Sequence, residues 1–247
     1  MVMFSSHLFN TCQVIISHSH YDHLSYPTIL EIHRRHPLVQ FCVPKGLKEW
    51  FARCGILNAV ELDWWEDIDL TLSSPLNEDI TARVSCLPCQ HTSARHPFNK
   101  GVTLWASWSV SSGGKSVYFA GDTGYRTVPH LPRGVDDWGP EFAHLPVCPA
   151  FKQTGDLRGP FDLGLIPIGA YMPRHVLSPI HSNPYDSVEI FKDTRCKKAM
   201  GIHWGTWAVA EDNVLEPPQL LRKALAKSGL AEAGVFDVCD IGESREF

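Results

Sequence analysis

The sequence contains no uninterrupted apolar stretch that approaches the roughly 20 residues needed to cross a bilayer. Its first ten residues lack both the basic and the apolar segment of a secretory signal peptide. Lysine and arginine form no block, and the formal net charge is -5 at pH 7, which argues against nucleic acid as a partner. These absences predict an intracellular protein, cytoplasmic or peripheral on membranes, that does not bind nucleic acid.

A second Cys-x-x-Cys motif is also missing from the sequence. The eight cysteines are scattered, and only Cys86 and Cys89 form such a motif. A thiolate zinc site of this type requires a second pair. A redox pair normally opens a helix, whereas a Gln-His-Thr-Ser run follows here. The pattern therefore predicts reduced thiols and argues against thiol chemistry as the function.

The arrangement of apolar runs indicates an α/β protein. The 247 residues, 44% of them hydrophobic, are enough for a substantial core, and strand-like runs are interspersed with helical patterns. Strands are predicted at residues 14–16, 39–43, 82–87, 102–109, 117–120, 163–168, 199–202 and 235–238, and helices at 27–35, 46–54, 184–193 and 217–227. Gly113 and Gly114 predict a hairpin turn. We expect a single domain over residues 1–247, with a long surface loop at about 126–147.

The most informative segment reads H-x-H-x-D-H and directly follows the apolar run at 14–16. Its four candidate ligands are His18, His20, Asp22 and His23. In an extended chain, residues two apart project to the same side, so His18 and His20 can face one ion. Four such side chains in six positions are hard to explain as packing, because crowded polar groups need partners when they are buried. The segment predicts a metal site on a strand-to-helix loop.

Three further candidate ligands each follow a strand-like run. They are His91, Asp122 and His203. Asp122 lies in a Gly-Asp-Thr-Gly sequence, where flanking glycines leave room for a carboxylate that bridges two ions. Each residue alone is a weak signal, and for Asp122 a surface turn is the alternative explanation. Their repetition at strand ends favours one common site.

The order of these motifs resembles the metallo-β-lactamase superfamily. The resemblance implies an αββα sandwich and two metal ions at one rim of the facing sheets. One ion would be held by His18, His20 and His91, the other by Asp22, His23 and His203, with Asp122 bridging. Zinc is the metal that the resemblance implies, although imidazole and carboxylate also suit iron and manganese.

The wider sequence is similar to the family of N-acylphosphatidylethanolamine-hydrolysing phospholipases D. The matching segments are collinear and lie at residues 16–24, 61–66, 104–110, 119–125, 148–151, 159–163, 166–171, 202–206 and 215–218. His181, which stands before Asn183 and Pro184, matches a family histidine near the scissile phosphate. The resemblance implies hydrolysis of N-acylphosphatidylethanolamine to N-acylethanolamine and phosphatidic acid.

The same resemblance implies roles and partners. Asp122 and His181 would be catalytic, and Tyr21, Tyr26 and His181 would contact the substrate. For Tyr26, ordinary aromatic packing is an equal alternative. The implied partners are a membrane phospholipid substrate, a membrane surface in peripheral contact, and a second copy of the chain in a homodimer.

One departure from this family concerns the residues before the metal motif. Only 17 residues precede His18, whereas family members have a long N-terminal region that supplies early strands. We therefore expect the first sheet to lack early strands, and a truncated gene model explains the shortness equally well. Two alternatives stay open. One is a soluble superfamily hydrolase, such as a lactonase or small-molecule phosphodiesterase; the other is an inactive, truncated metal-binding remnant.

Overall fold

The computed structural model describes residues 2–6, 11–72, 79–132, 134–208, 210–240 and 242–247. The chain divides into two compact units. Unit 1 comprises Met1–Pro88 and Thr92–Gly121, and unit 2 comprises Cys89–His91 and Asp122–Phe247. The single domain expected over residues 1–247 stays a prediction.

Unit 1 contains two groups of hydrogen-bonded strands. The first group is β1 (Val2–Ser6), β2 (Thr11–Ile15), β3 (Gln40–Pro44) and β4 (Ala59–Leu62), paired in that order. β1 runs antiparallel to β2, while β2, β3 and β4 are parallel. The second group is an antiparallel meander of β5 (Asp67–Leu72), β6 (Ile80–Leu87), β7 (Ser107–Ser112) and β8 (Lys115–Phe119). Gly113 and Gly114 join β7 to β8 with positive φ, as the predicted hairpin turn requires.

Two helices of unit 1 cover the parallel strands. They are α1 (Tyr26–Arg35) and α2 (Lys48–Arg53). α1 starts after Ser25 with Pro27 in its first turn, where the fixed φ of proline suits a helix and its missing N–H costs nothing. Ile29 is fully buried in a core that also contains Phe41 and Phe51, whose ring centroids lie 4.9 Å apart. This core holds the end of β2 in place.

Unit 2 alternates helices with short parallel strands. Its elements are α3 (Ala150–Leu157), β9 (Leu163–Pro167), α4 (Arg174–Leu177), α5 (Pro184–Asp193), β10 (Lys198–Ile202), α6 (Pro217–Lys227) and β11 (Phe236–Asp237). β10 pairs in parallel with both β9 and β11. α5 begins with a capping box, in which Asn183 and Asp186 each accept a hydrogen bond from the other's backbone N–H. The predicted helices at 184–193 and 217–227 have the observed bounds.

Some expectations from the sequence need correction. The strand predicted at 102–109 starts only at Ser107, because the N–H groups of Leu104 and Ala106 donate to the carbonyls of Lys45 and Ser17 instead of a strand ladder. β1, β4, β5, α3 and α4 were not predicted. The described part of 126–147 contains no strand or α-helix, only a 3₁₀ turn at Pro140–Phe142. No helix among the described residues combines the length and apolarity needed to traverse a bilayer.

Candidate metal centre

The H-x-H-x-D-H residues lie on the loop that leaves β2 in unit 1. The backbone N–H of Ile16 still bonds to the carbonyl of Cys42 at 3.0 Å, so the loop begins at a buried strand end. The carbonyl of His20 then accepts from the N–H groups of both His23 and Leu24, at 3.1 and 2.8 Å. This tight turn folds the second half of the motif back toward the first.

The four side chains form what we call the loop cluster: His18, His20, Asp22 and His23. His18 Nε2 lies 2.8 Å from His20 Nδ1, and the His18 and His23 ring centroids are 4.3 Å apart. Asp22 Oδ2 lies 3.1 Å from His23 Nε2. Ser17 Oγ is 3.0 Å from His18 Nδ1 and orients that ring. Solvent exposure varies across the cluster: His18 is buried and Asp22 is exposed.

Arg95 holds this loop and was missed by the sequence reasoning. Its Nη1 donates to the carbonyl oxygens of Ser19 at 3.0 Å and Leu24 at 2.7 Å, which bracket three of the candidate ligands. Its guanidinium also packs over the rings of Tyr21 and Trp50, 4.2 and 5.1 Å from their centroids. Partial burial lowers the pKa of Arg95 from its usual value. A lone arginine in a loop carries no periodicity or motif that would have revealed this contact.

The Gly-Asp-Thr-Gly turn needs both of its glycines. Gly121 has φ +63°, and a Cβ added to it would lie 2.7 Å from Cβ of Ser17. A Cβ on Gly124 would collide with the backbone of Ser178 and Pro179. Only glycine allows these close backbone approaches. The turn therefore delivers Asp122 to a buried position two residues beyond a strand-like run, as predicted.

In unit 2, the predicted residues converge in what we call the strand-end cluster: His91, Asp122, His181 and His203. Asp122 Oδ2 lies 3.3 Å from His203 Nε2 and 4.0 Å from His91 Nε2. The His181 ring centroid is 5.3 Å from that of His91 and 5.6 Å from that of His203. His181 thus lies beside both histidines that flank the carboxylate.

Backbone features set the orientation of two of these histidines. His91 Nδ1 lies 2.7 Å from the carbonyl oxygen of Ile180, and because a carbonyl only accepts, Nδ1 carries the proton and Nε2 the lone pair. This is the tautomer of a histidine that ligates through Nε2. His203 directly follows β10 with φ +59°, an unusual conformation of the kind that concentrates at functional sites.

Asp212 fixes the segment next to His203 and was also missed. Its carboxylate accepts from the N–H groups of Ala170, Tyr171 and Met172 at 3.0–3.2 Å. A Cβ on Gly169 would collide with the carbonyl of His203, so this segment packs directly against that histidine. Three backbone donors on one carboxylate make a rigid support.

The donor atoms fit a divalent metal. Nitrogen or oxygen ligands about 2.0–2.1 Å from a tetrahedral zinc ion lie about 3.3 Å from one another. The His203–Asp122 and His23–Asp22 separations of 3.3 and 3.1 Å are close to this value. All seven predicted ligands belong to groups of histidine and aspartate atoms close enough to hold an ion. The predicted ligand set is therefore compatible with metal binding.

The two predicted substrate tyrosines lie in unit 1 and are exposed. Tyr21 lies within the loop cluster sequence, is 67% exposed and packs one face on Arg95. Tyr26, at the start of α1, is 48% exposed and makes an edge contact with Trp50, with ring centroids 6.2 Å apart. Their contact with substrate stays a prediction.

Comparison with known proteins places most of the chain in one sequence family. The family model described as "Beta-lactamase superfamily domain" matches residues 10–137 and 133–204. The archaeal metallo hydrolase Igni18 of Ignicoccus hospitalis is 20% identical, with a TM-score of 0.60 over 94% of this chain and 77% of that one. This likeness shows a shared fold, and it confirms the predicted α/β class.

Two longer proteins are similar over nearly the whole chain. N-acyl-phosphatidylethanolamine-hydrolyzing phospholipase D 1 of Caenorhabditis elegans is 34% identical over 239 residues, which are 94% of this chain and 60% of the relative. N-acyl-phosphatidylethanolamine-hydrolyzing phospholipase D, mitochondrial, of Saccharomyces cerevisiae is 31% identical over 240 residues, which are 95% of this chain and 44% of the relative. The chain thus spans about half the length of these relatives.

Proposed function

The chain belongs to the β-lactamase superfamily, with the αββα fold of its metal-dependent members, and from this membership we propose that it is a zinc-dependent phosphodiesterase. Its proposed reaction is the hydrolysis of N-acylphosphatidylethanolamine to N-acylethanolamine and phosphatidic acid. The observation that carries the proposal is the buried Asp122 carboxylate, 3.3 Å from His203 and 4.0 Å from His91. The similarity to two phospholipases of that name supplies the substrate class.

Two zinc ions are the proposed cofactors. His18, His20 and His91 would hold one ion, Asp22, His23 and His203 would hold the other, and both would share Asp122. This assignment rests on the motif order and on the donor geometry within each cluster. When bound, a pair of such ions polarises a phosphoryl oxygen and activates water for attack on phosphorus.

The remaining roles fall to protein side chains. Asp122 Oδ2 faces Nε2 of both His91 and His203, so its carboxylate would share the metal ions with these imidazoles. His181, beside both of them, is placed to donate a hydrogen bond or proton to the leaving oxygen of N-acylethanolamine, because imidazole exchanges protons near neutral pH. Tyr21 and Tyr26 contact the substrate with their exposed rings.

The substrate class implies a membrane partner. N-acylphosphatidylethanolamine carries acyl chains that stay in a bilayer, so the enzyme works in peripheral contact with a membrane surface. Exposed Tyr21 supplies an amphipathic ring of the type enriched at membrane interfaces. Homodimer formation stays a prediction.

A comparison of substrates tests the proposal. The protein is stripped with a chelator, reloaded with zinc, and assayed on N-acylphosphatidylethanolamine vesicles, on bis(p-nitrophenyl) phosphate and on a simple lactone. We expect release of N-acylethanolamine and phosphatidic acid that requires about two zinc ions per chain. Turnover of only the small phosphodiester or only the lactone would establish the soluble-hydrolase alternative.

Metal content provides the second arm of the test. Well under one zinc ion per chain, after reloading and removal of excess metal, contradicts the two-metal proposal. In that case, absence of turnover on all three substrates identifies the chain as the inactive remnant considered from the sequence. His36→Ala, a change at a partly exposed histidine on the α1 C-cap, is the control and should retain full metal content.

A further inference from the structure

The segment at 126–147, which we call the strap, closes on itself. Arg126 and Val147 form an isolated antiparallel bridge, and the N–H of Cys148 donates to the carbonyl of Tyr125 at 2.8 Å. The strap thus leaves and rejoins the rest of unit 2 at a single point. Residue 133 lies outside its described part.

Charged side chains of the strap reach into the interior of unit 2. Asp137 Oδ2 lies 2.8 Å from Nε of Arg174, whose Nη2 donates to Asp186 Oδ2 at 2.7 Å. Trp138 Nε1 donates to Asp186 Oδ1 at 3.2 Å, and the Arg126 guanidinium stacks on the Trp138 ring, 3.7 Å from its centroid. Two arginines and two aspartates therefore form one network around an indole.

This network is buried, so its members depend on each other. Asp186 and Arg126 are 0% and 3% exposed, and Arg174 and Asp137 are 12% and 13% exposed. Removing one partner of a buried charge pair leaves the other charge uncompensated, which is strongly destabilising. The strap residue Asp137 is therefore integral to this part of unit 2.

The network includes residues of both helices that flank the connector between α4 and α5, residues 178–183. Arg174 is the first residue of α4, and Asp186 caps the first turn of α5. Ser178, at the start of the connector, accepts a hydrogen bond from the N–H of Val128 in the strap at 2.8 Å. The connector carries His181 and the Ile180 carbonyl that orients His91.

We propose that the strap is a positioning device, in which Asp137 and Trp138 act through Arg174 and Asp186 to place His181 and the Ile180 carbonyl. Its kinetic consequence rests on the proposed function, whereas its structural consequence does not. The strap thereby sets the geometry of the strand-end cluster without touching substrate. Asp137 and Trp138 are positioning residues in this scheme.

A double-mutant cycle tests the kinetic consequence on the zinc-loaded protein. Asp137→Ala should lower kcat/KM for N-acylphosphatidylethanolamine by about tenfold or more, since small misplacement of catalytic groups has large effects. In a His181→Ala background the same change should cost less than in the parent, because its effect through His181 is already lost and only its effect through the Ile180 carbonyl and His91 remains. Glu141→Ala, which removes an exposed carboxylate of the same strap, should stay within about twofold of the parent. An equal loss in both backgrounds overturns the proposal.

A more conservative variant and a spectroscopic measurement test the proposal if Asp137→Ala does not fold or if turnover is absent. Trp138→Phe keeps a ring over Arg126 but removes the donor to Asp186, so it tests the scheme if Asp137→Ala does not fold. Imidazole ¹⁵N NMR should show shifted signals for His91 and His181 in either strap variant, with those of Glu141→Ala unchanged. Unchanged His91 and His181 signals contradict the proposal. This arm needs no turnover, so it gives its answer even if the proposed hydrolase activity is absent.

Discussion

The guanidinium carbon of Arg95 lies over the ring of Tyr21, 4.2 Å from its centroid. The same guanidinium donates to the carbonyls of Ser19 and Leu24, so it holds the backbone of the loop cluster and the ring in its middle together. The loop cluster therefore depends on a side chain that binds no metal.

Arg95→Met should weaken metal binding at the loop cluster. Hydrogen bonds from a charged donor contribute about 1.5–3 kcal/mol each, so we expect at least about a tenfold rise in the zinc Kd, measured by competition with a chromophoric chelator. Arg95→Lys should recover part of this loss, since an ammonium donates to carbonyls but lacks the planar stack. The control is Arg53→Met, at an exposed arginine paired with Glu49. Equal zinc Kd values for all three variants would refute the role of Arg95.

Gly121→Ala should destabilise the protein more than Gly113→Ala. Both glycines have positive φ, which costs an alanine about 1 kcal/mol. An added Cβ at Gly121 meets Ser17 at 2.7 Å, whereas at Gly113 it meets nothing within 4 Å. The collision should add about 1–3 kcal/mol, measured by urea unfolding. Equal losses of unfolding free energy would show that Ser17 moves aside without cost.

Asp122→Asn should abolish metal-dependent turnover while the fold is retained. The amide keeps the volume of the buried carboxylate but loses the charge that faces His91 and His203. We expect a loss in kcat of about 100-fold or more, with a circular dichroism spectrum like that of the parent. Asp156→Asn, at an exposed aspartate of α3, is the control. Parental turnover in Asp122→Asn excludes a bridging role.

Tyr21→Ala and Tyr26→Ala test whether either ring contacts the substrate. Tyr21→Ala removes a ring that is 67% exposed, so unfolding free energy should change by about 1 kcal/mol or less, mainly through the lost contact with Arg95. If its ring contacts substrate, KM should rise severalfold with kcat little changed. Tyr26→Ala separates substrate contact from packing, because a change in stability alone assigns Tyr26 to packing against Trp50.

Asp193 makes the stability of unit 2 depend on pH. Burial raises the pKa of its carboxyl, although a hydrogen bond from the Tyr125 hydroxyl at 2.9 Å acts in the opposite direction. The native state therefore binds the proton more tightly than the unfolded state does. Its stabilising contribution is complete below the usual carboxyl pKa and is lost as pH rises through the higher native value.

Asp193→Asn removes this dependence, because its amide oxygen still accepts from Tyr125 without carrying charge. We expect the variant to be more stable than the parent at pH 7, with the difference shrinking as pH falls toward 4. Urea unfolding at both values measures it. Asp162→Asn, at a partly exposed aspartate paired with Lys197, controls for the general loss of one negative charge. A pH-independent difference would contradict the assignment to Asp193.

The candidate ligands could be picked out from the sequence because of where they stand in it. His18 to His23 form a dense motif, and Asp122 and His203 stand at the ends of apolar strands, where side chains of parallel or adjacent strands collect. Arg95 and Asp212 could not be found in this way. Their partners are backbone groups far away in sequence, and any chain segment offers such groups. The 102–106 part of the predicted strand is absent for a related reason. The backbone N–H groups of Leu104 and Ala106 donate to carbonyls of residues far away in the sequence and not to a neighbouring strand.

The two clusters also differ in how their residues are spaced along the chain. The loop cluster spans six positions, while the strand-end cluster joins residues from 91 to 203. Closing a short loop takes far less entropy and time than assembling contacts across more than a hundred residues. During refolding in zinc, the first cluster therefore gathers its ligands early and the second only after β10 has docked beside β9. Because each proposed ion takes ligands from both clusters, stopped-flow refolding should show metal uptake only in the slower phase, together with the recovery of native structure in unit 2.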